Sequence, residues 1–446
     1  MRVAIIGAGI SGLSTAFYLN RSRSDAEVHV FEANEHLGGT MHTVNQDGFL
    51  FEEGGNGFLS NKPDMLKLVE ESQASDILLR SEDAARRRFI YTDRMHPFPD
   101  GPGKFARSEL LTAMQKLRVL GEVFIPPKRD DSDETLQAFG YRRLGKAFTD
   151  VFLDAMTAGI YGTTADRVSV QAAFPLVVRL EQEYGGLFKG MIKRRKQSAG
   201  PGGVLMSFKG GMSTMVDHLQ QQVNAQWHTG APVESISKDG DGYRVHVGGE
   251  SLPMDQVILA TPAHAAAGIL KQLDPDLSGQ LSALDYSPIA VVGFGWKELK
   301  HPLDGFGLLT TGDADLPVLG ILWDSSIFPD RAPDGMKSVR VMLGGQRAPH
   351  KVEQDPDTLI REALEGVRKG LGIEKAPDAT FVKRWHKGLP GYPVGHIQAV
   401  DAIMEQAGQH RGLHLTGNAY RGIAMNDCVR NGRLTAEAAA LVGRVT

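Results

Sequence analysis

The chain opens RVAIIGAGISGLSTAFYL, and three glycines so spaced at its start leave little choice of local fold. Val3 to Ile6 form an apolar run of strand type, while Leu13, Ala16, Phe17 and Leu19 recur at helical spacing. Gly7, Gly9 and Gly12 therefore fall in a strand-to-helix turn. In such a turn Gly7 permits the tight bend, Gly9 lets a pyrophosphate approach the backbone, and Gly12 lets the helix pack close to the strand. The helix N-terminus faces the phosphates with free amides and the positive end of its dipole. AEVHVFEAN reads as a second strand with Glu32 near its end, about twenty residues beyond Gly12, where a carboxylate bonds a ribose hydroxyl. An acid there favours an unphosphorylated adenosine ribose, because it repels a 2'-phosphate.

The length of the ligand is read further on. EANEHLGGTMHT continues from Glu32 with Gly38 and Gly39, and FLFEEGGNGF sets Gly54, Gly55 and Gly57 around Asn56. Each cluster is a place where backbone can come close to a ligand. Three such approaches near the N-terminus suit FAD better than NAD, since the ribityl and ring portions of a flavin need further contacts. The arrangement resembles the flavin amine oxidase superfamily, whose glycine pair follows the acid in this way. Many members carry an arginine after the pair. Thr40 stands there instead, on the cofactor side but without that charge.

At 446 residues the chain is too long for one ordinary core, and two or three domains are expected. With 41% hydrophobic and 23% charged residues the composition is that of an ordinary globular protein, and a formal charge of -4 gives no general pull toward nucleic acid. Cys428 is the one cysteine, which rules out an intramolecular disulfide, a CxxC redox pair and a cysteine-rich metal site, and points to a reducing compartment. HxxxH spacing occurs at His410 and His414, but Gly412 and the strand pattern after it argue against a shared helix face, so no metal is expected. No cleavable leader is expected before a strand that begins at residue 2, and no apolar run of about eighteen residues is present to span a membrane. A cytoplasmic location is expected.

The expected fold class is α/β: a discontinuous FAD-binding domain of Rossmann type, a mixed α+β substrate domain and a helical membrane-associated domain. Residues 1–85, 201–270 and 406–446 are assigned to the FAD-binding domain, 86–200 to the helical domain and 271–405 to a β-rich substrate domain. ELLTAMQKLRVLGEVF and TLQAFGYRRLGKAFTDVFLDAMTAGIYG carry helical patterning in the second of these spans, whereas DQVILATP reads as a buried strand of the returning nucleotide fold. A hairpin is expected to turn at Asp239 to Gly242.

The tail and the middle of the chain carry a closer resemblance. GNAYRGIAMNDCVRNG is similar to the C-terminal flavin motif of the protoporphyrinogen oxidases, and TAGIYGTTADRVSVQAAFP is similar to their central signature. ETLQAFGYRRLG, DGFGLL, RVMLGG and YPVGH occur in that family's order. The matches cover most of the chain and do not rest on the nucleotide motif, which unrelated enzymes share. The resemblance implies an FAD enzyme that uses oxygen to take six electrons from a porphyrinogen in three flavin cycles, releasing peroxide. It assigns Gly7, Ala8, Gly9, Ile10, Ser11 and Gly12 to the pyrophosphate and Glu32 to the adenosine ribose. Val233 falls at the adenine, Gly417 and Asn418 on the cofactor, Ile423, Ala424 and Met425 beside the flavin ring, and Ile397 at a packing position held by tryptophan in some members. Asn56 falls near the reactive face of the flavin, with Gly55 replacing a proline common before it.

A porphyrinogen is a broad apolar macrocycle with propionates, so its pocket calls for apolar walls and at least one cation. Leu309 and Met342 match family positions that flank the ring, and Phe174 and Gly307 lie in the signature stretches on the same side. The family's propionate arginine is missing from PFPDGPGKFAR, leaving Lys104 and then Arg107 as substitutes. No acid and base pair stands out for the chemistry. LFKGMIKRRKQ, Leu187 to Gln197, sets Lys189, Lys193, Arg194, Arg195 and Lys196 beside apolar residues, which suits peripheral contact with an anionic membrane on the inner face of the cell membrane. Molecular oxygen is the expected second partner, and a homodimer stays open. Protoporphyrinogen IX is the first substrate reading, giving protoporphyrin IX in haem biosynthesis. Coproporphyrinogen III, an amine oxidase or desaturase on the same scaffold, and a non-catalytic flavin-binding protein stand as alternatives.

Overall fold

The computed structural model describes residues 1–197 and 203–442, with the side chains of 194–197 outside the description. The opening glycine turn lies at the centre of a five-stranded, fully parallel sheet, whose strands run in the order Gln226–His228, Glu27–Phe31, Arg2–Ile6, Gln256–Leu259, Leu413–Leu415. A parallel sheet buried on both faces needs apolar residues at nearly every position. Val3, Ala4, Ile5, Ile6 and Val257, Ile258, Leu259 supply them. One face is covered by the helices Ile10–Ser22, Asp64–Glu71, Ser213–Gln222 and Met425–Leu441. The other is covered by a three-stranded meander, Val233–Asp239, Gly242–Val247 and Glu250–Met254, with helix Ala263–Leu270. The meander's first turn falls at the expected place, with Gly240 at φ +59.

Two helices from the span assigned to the substrate domain belong to this second core. Pro275–Ser282 and His396–Gly408 turn Leu277, Leu281, Val400, Ile403 and Ala407 into it, because their apolar stripes find no other face to bury.

The second large unit is a seven-stranded mixed sheet, ordered Ala379–Pro390, Tyr286–Trp296, Lys337–Gly344, Gly320–Leu322, Gly307–Thr310, Arg88–Tyr91, Met95–Pro97. Its last two strands come from the span assigned to the helical domain. Arg88–Tyr91 pairs parallel with Gly307–Thr310, and a strand of four residues whose partner is so distant carries no local signal of its pairing. One face of the sheet carries Ala290, Val292, Val341, Ile321 and Leu308 against helix Pro356–Leu371. The opposite face carries Ile289, Val291, Met342 and Leu309 and meets helix Asp154–Tyr161. There a Cβ at Gly159 would stand 2.7 Å from Leu309, so glycine allows the helix to settle on the sheet.

The helical unit between Pro102 and Gln197 is stitched by buried charge. Arg143 and Glu122 are fully buried and paired, with Glu181 at 3.3 Å from the same guanidinium. Glu122 also accepts from the amides of Leu187 (2.8 Å) and Phe188 (3.3 Å), which places a carboxylate on the N-terminus of helix Leu187–Gln197, where the dipole favours it. Among the described residues no helix is long and apolar enough to cross a membrane. Removing one partner of a buried ion pair strands the other, so Glu122→Gln should cost about 3 to 5 kcal/mol. Urea unfolding of the variant checks this, and an unchanged midpoint would show that Arg143 finds enough support in the Ile125 carbonyl, 2.8 Å away.

Candidate functional site

The three opening glycines divide by role. Gly7 has φ +100, and a Cβ there would lie 2.9 Å from the Ala260 carbonyl, while a Cβ at Gly12 would lie 1.9 Å from Gly7 O. The fold itself demands glycine at both. At Gly9 a Cβ would meet nothing nearer than Gly38 O at 3.9 Å, so no protein packing calls for glycine there. Ile10, Ser11 and Gly12 begin the helix, and no side chain caps it. Gly38 and Gly39, at φ +106 and +59, fold over this turn, and a Cβ at Gly39 would stand 3.4 Å from the Gly9 Cα.

Glu32 is buried at the end of its strand. Its carboxylate accepts from Ala8 N at 2.9 Å and from Asn34 N and Nδ2 at 3.0 and 2.7 Å, so it fixes the glycine turn from below. Gly230 N and Ala231 N bond to the Asn34 and Glu32 carbonyls, which sets Val233, at the start of its strand, beside the same spot.

At the carboxyl ends of two more parallel strands, the hydroxyls of Thr261 and Thr416 are buried without a hydrogen-bond partner among the described residues. Gly417, at φ +143, has no neighbour nearer than 3.8 Å for a Cβ. The loop from Gly417 to Ala424 is held by Tyr392, whose hydroxyl donates to Asn418 O at 2.6 Å and accepts from Gly422 N at 3.0 Å. His396 stacks on Tyr392 at 4.0 Å, and its Nε2 reaches Tyr420 O at 3.1 Å; burial lowers the pKa of this imidazole, so the neutral ring donates there. The YPVGH stretch thus acts through Tyr392 and His396. Ile397 is instead 38% exposed, because the buried stripe of its helix runs through His396, Val400 and Ile403. Ile423 packs toward Tyr161 and Tyr392, and Ala424 begins helix Met425–Leu441 with no side-chain cap. Open helix amides of this kind are an anion site.

The GGNG segment also divides. Cβ atoms at Gly54 and Gly57 would strike the carbonyls of Thr40 and Met206 at 2.4 and 2.3 Å, so these glycines serve packing. Thr40 itself is exposed and touches the segment through its backbone. Gly55 faces the tip of Met425, and Asn56 is 9% exposed, its Nδ2 without a hydrogen-bond partner among the described residues.

On the sheet side, Leu309 and Met342 both pair with Gly320, so they share one face and look past a residue without a side chain. Phe174 meets Tyr161 edge to face at 5.9 Å. Gly307 has φ +140, and a Cβ there would lie 2.1 Å from Ile321 O; strand pairing accounts for it, not a ligand. Lys104 and Arg107 lie exposed on helix Pro102–Arg107. The Lys104 ammonium is 2.9 Å from Asp100, and Arg107 Nε donates to Gly103 O at 3.3 Å. The sequence did not single out Arg340, Glu53, Lys383 or Trp385. Arg340, 2% exposed, donates to the carbonyls of Glu52 and Gly54, while Trp385 Nε1 donates to Glu53 O at 2.8 Å. These bonds bring the apolar sheet face to the GGNG segment.

These residues fit FAD. The crevice at the carboxyl ends of the parallel strands is lined by an open Gly9, two unpartnered threonine hydroxyls and two helix starts without caps. The profile of the flavin-containing amine oxidoreductases matches residues 10–440. The chain belongs to that family. It is 28% identical to the coproporphyrinogen III oxidase of Bacillus subtilis over 457 residues, covering 97% of this chain and 96% of the relative. It is also 28% identical to human protoporphyrinogen oxidase over 465 residues, covering 97% of each. A solved structure from Exiguobacterium sp. 255-15, a candidate protoporphyrinogen oxidase, superposes with a TM-score of 0.88 at 27% identity, over 99% of this chain and 98% of that one. Cyclohexylamine oxidase from Brevibacterium oxydans shares the fold, with a TM-score of 0.72 at 19% identity over 98% of each chain. The cofactor of this family member is FAD.

Gly9→Val should yield a folded protein with little or no FAD, because its side chain enters space that only the ligand uses. Gly12→Val should instead fail to fold. Flavin absorbance per protein and circular dichroism separate the two, and full FAD in Gly9→Val would overturn the assignment of Gly9. Burial pushes the Cys428 thiol up to about 11, so it is no nucleophile at neutral pH, and acid precipitation should release all the flavin.

Proposed function

We propose that this chain oxidises a porphyrinogen, protoporphyrinogen IX in the first place, removing six electrons with dioxygen as acceptor and hydrogen peroxide as by-product. The observation that carries this is the half-buried pair Leu309 and Met342, on a sheet face that Arg340 and Trp385 tie to the backbone of Glu52, Glu53 and Gly54. Leu309 and Met342 offer apolar surface of the kind that a macrocycle's ring needs. Bound FAD supplies a two-electron acceptor, held by the glycine turn, Glu32 and the start of helix Met425–Leu441. The chain's own part is to orient: the sheet face takes the macrocycle, Asn56 offers an unpaired donor, and Tyr392 with His396 fixes the loop behind. A second reading, coproporphyrinogen III, draws on the name of the Bacillus subtilis relative.

Anaerobic mixing with each porphyrinogen, monitored as loss of the flavin absorbance, decides between them. Faster bleaching by protoporphyrinogen is expected, and bleaching by neither would overturn the proposal. For the propionate anchor, Lys104 is paired with Asp100, whereas among the described residues Arg107 bonds only the Gly103 carbonyl of its own helix. Arg107→Met should therefore raise KM about tenfold with kcat unchanged, and Lys104→Met should have the smaller effect. Equal constants for both variants would move the anchor elsewhere.

The same proposal includes peripheral membrane contact. Leu187 is buried and Phe188 half-buried, so the apolar face of the basic segment in contact with water is Met191 and Ile192, at 49% and 61% exposure. The helix packs against the turn Gly121–Phe124, next to a stripe of Met114, Leu117, Leu120 and Phe124 exposed by 58% to 86%. Lys189 and Lys193 flank this patch, while the Arg194, Arg195 and Lys196 side chains and the loop after them lie outside the described residues. A shallow apolar patch with cations at its edge suits an anionic bilayer surface. Leu117→Asp with Phe124→Asp should abolish sedimentation with anionic vesicles. A change in oligomeric state with vesicle binding intact would give the patch to a second copy of the chain.

A further inference from the structure

Three residues before Asn56, Glu53 meets two further side chains. Glu53 is 7% exposed at its side chain, with Oε2 2.7 Å from Lys383 Nζ and Oε1 3.2 Å from His42 Nδ1. Lys383 sits over the Trp385 ring at 4.6 Å and pairs in register with Val291, on the strand face that also bears Met342. His42 is 24% exposed, and the exposed ring of His36 stacks on it at 3.8 Å. Both contacts to Glu53 lie off the hydrogen-bond axis. His42 Nδ1, Glu53 Oε2 and Asn56 Nδ2 are therefore buried polar atoms without a hydrogen-bond partner among the described residues. Unpaired buried polar atoms are costly, and two of them in the His42–Glu53 pair mark a place where further partners bind.

We propose that Glu53 and His42 form the proton exit of the pocket, with Lys383 as the positioning residue that holds the Glu53 carboxylate at the apolar face. This rests on the porphyrinogen reading. Over the three two-electron steps, three carbon-bound hydrogens leave with their bond pairs to the cofactor and three protons are lost, two from pyrrole N–H bonds and one from the remaining methylene carbon, each leaving its electron pair in the ring. Each freed proton must leave an apolar face that presents Met342 and Leu309, neither of which accepts it. The Glu53 carboxylate takes that proton, directly or through one water, and passes it to His42 Nδ1; the Nε2 proton of His42 then goes to bulk water. Dioxygen takes the two electrons and two protons to give peroxide, so the step balances. The other charges nearby are engaged elsewhere: Glu52 turns away to Arg331 at 3.2 Å and Met212 N at 3.0 Å, and Arg340 is held by Asp324 at 3.1 Å and by backbone carbonyls.

The test uses the FAD-loaded protein, mixed with porphyrinogen without oxygen and then in turnover, with a pH-indicator dye reporting protons in bulk. Glu53→Gln should slow flavin bleaching about a hundredfold, because the amide cannot take the proton. Glu53→Asp should recover part of the rate. The double variant Glu53→Gln with Lys383→Gln should be as slow as Glu53→Gln, which excludes a stranded ammonium as the cause. His42→Ala should delay proton appearance in the dye signal and slow turnover, and added imidazole should restore both. FAD content and the visible spectrum should match wild type throughout. A wild-type bleaching rate in Glu53→Gln, or no rescue of His42→Ala, would overturn the exit. Wild-type protein that neither porphyrinogen bleaches would overturn the functional reading and the exit with it.

Discussion

The contact on which this molecule most depends lies between its two ends. Helix Met425–Leu441 packs on helix Ile10–Ser22 at Gly432, where a Cβ would stand 2.3 Å from Ser14 Oγ and 2.8 Å from Ser11 O. Thr15 Oγ1 donates to the Gly432 carbonyl at 3.3 Å, and Ser11, Ser14 and Cys428 are buried at the contact. An approach this close is possible only with small residues on both sides. It puts two uncapped helix starts into one crevice, so a ligand that is anionic at its pyrophosphate and electron-accepting at its ring meets positive dipole ends at both. The strand Leu413–Leu415 beside it completes the sheet, so the tail is the last wall of a site that the first residues begin.

The two large sheets could slide past one another if apolar contact alone joined them. Specific polar bonds prevent this. Arg340 reaches across from the seven-stranded sheet to the carbonyls of Glu52 and Gly54, Trp385 reaches Glu53 O, and Arg331 meets Glu52, whose carboxyl burial holds above its ordinary pKa. Hairpin packing adds shape. Phe51 fills the space over Gly293, where a Cβ would be 2.4 Å from its ring, and Phe49 does the same over Gly295. Missing side chains on a central strand are thus places for the side chains of another unit.

The glycine turn was legible because its constraint is local: a positive φ at Gly7 and the carbonyl against Gly12 arise among close neighbours in sequence. Glu32 and the tail motif were legible for the same reason, each tied to a strand end or a helix start. Strand Arg88–Tyr91 was not, since its pattern is short and its pairing is set by Gly307–Thr310. Nor could sequence reveal that Asp100 occupies Lys104, or that Leu187 turns inward while Met114 to Phe124 turn outward. The side chains around Asn56 were least visible of all. Trp385 and Glu53 stand 332 positions apart, and an isolated glutamate after another glutamate reads as a solvated charge.

Arg340 shows why a charge is buried at this seam although desolvation can outweigh what the ion pair returns. A leucine at this position would join the sheets by apolar contact, but it would not choose a direction for the backbone it touches. The guanidinium does choose. By donating to the carbonyls on either side of Glu53, it fixes both peptide planes, and with side chains alternating along an extended segment, Glu52 must turn to Arg331 and Glu53 to Lys383. The orientation of one carboxylate at the pocket wall is therefore set by hydrogen bonds to its neighbours' backbone, and the cost of burying Arg340 is the cost of that orientation.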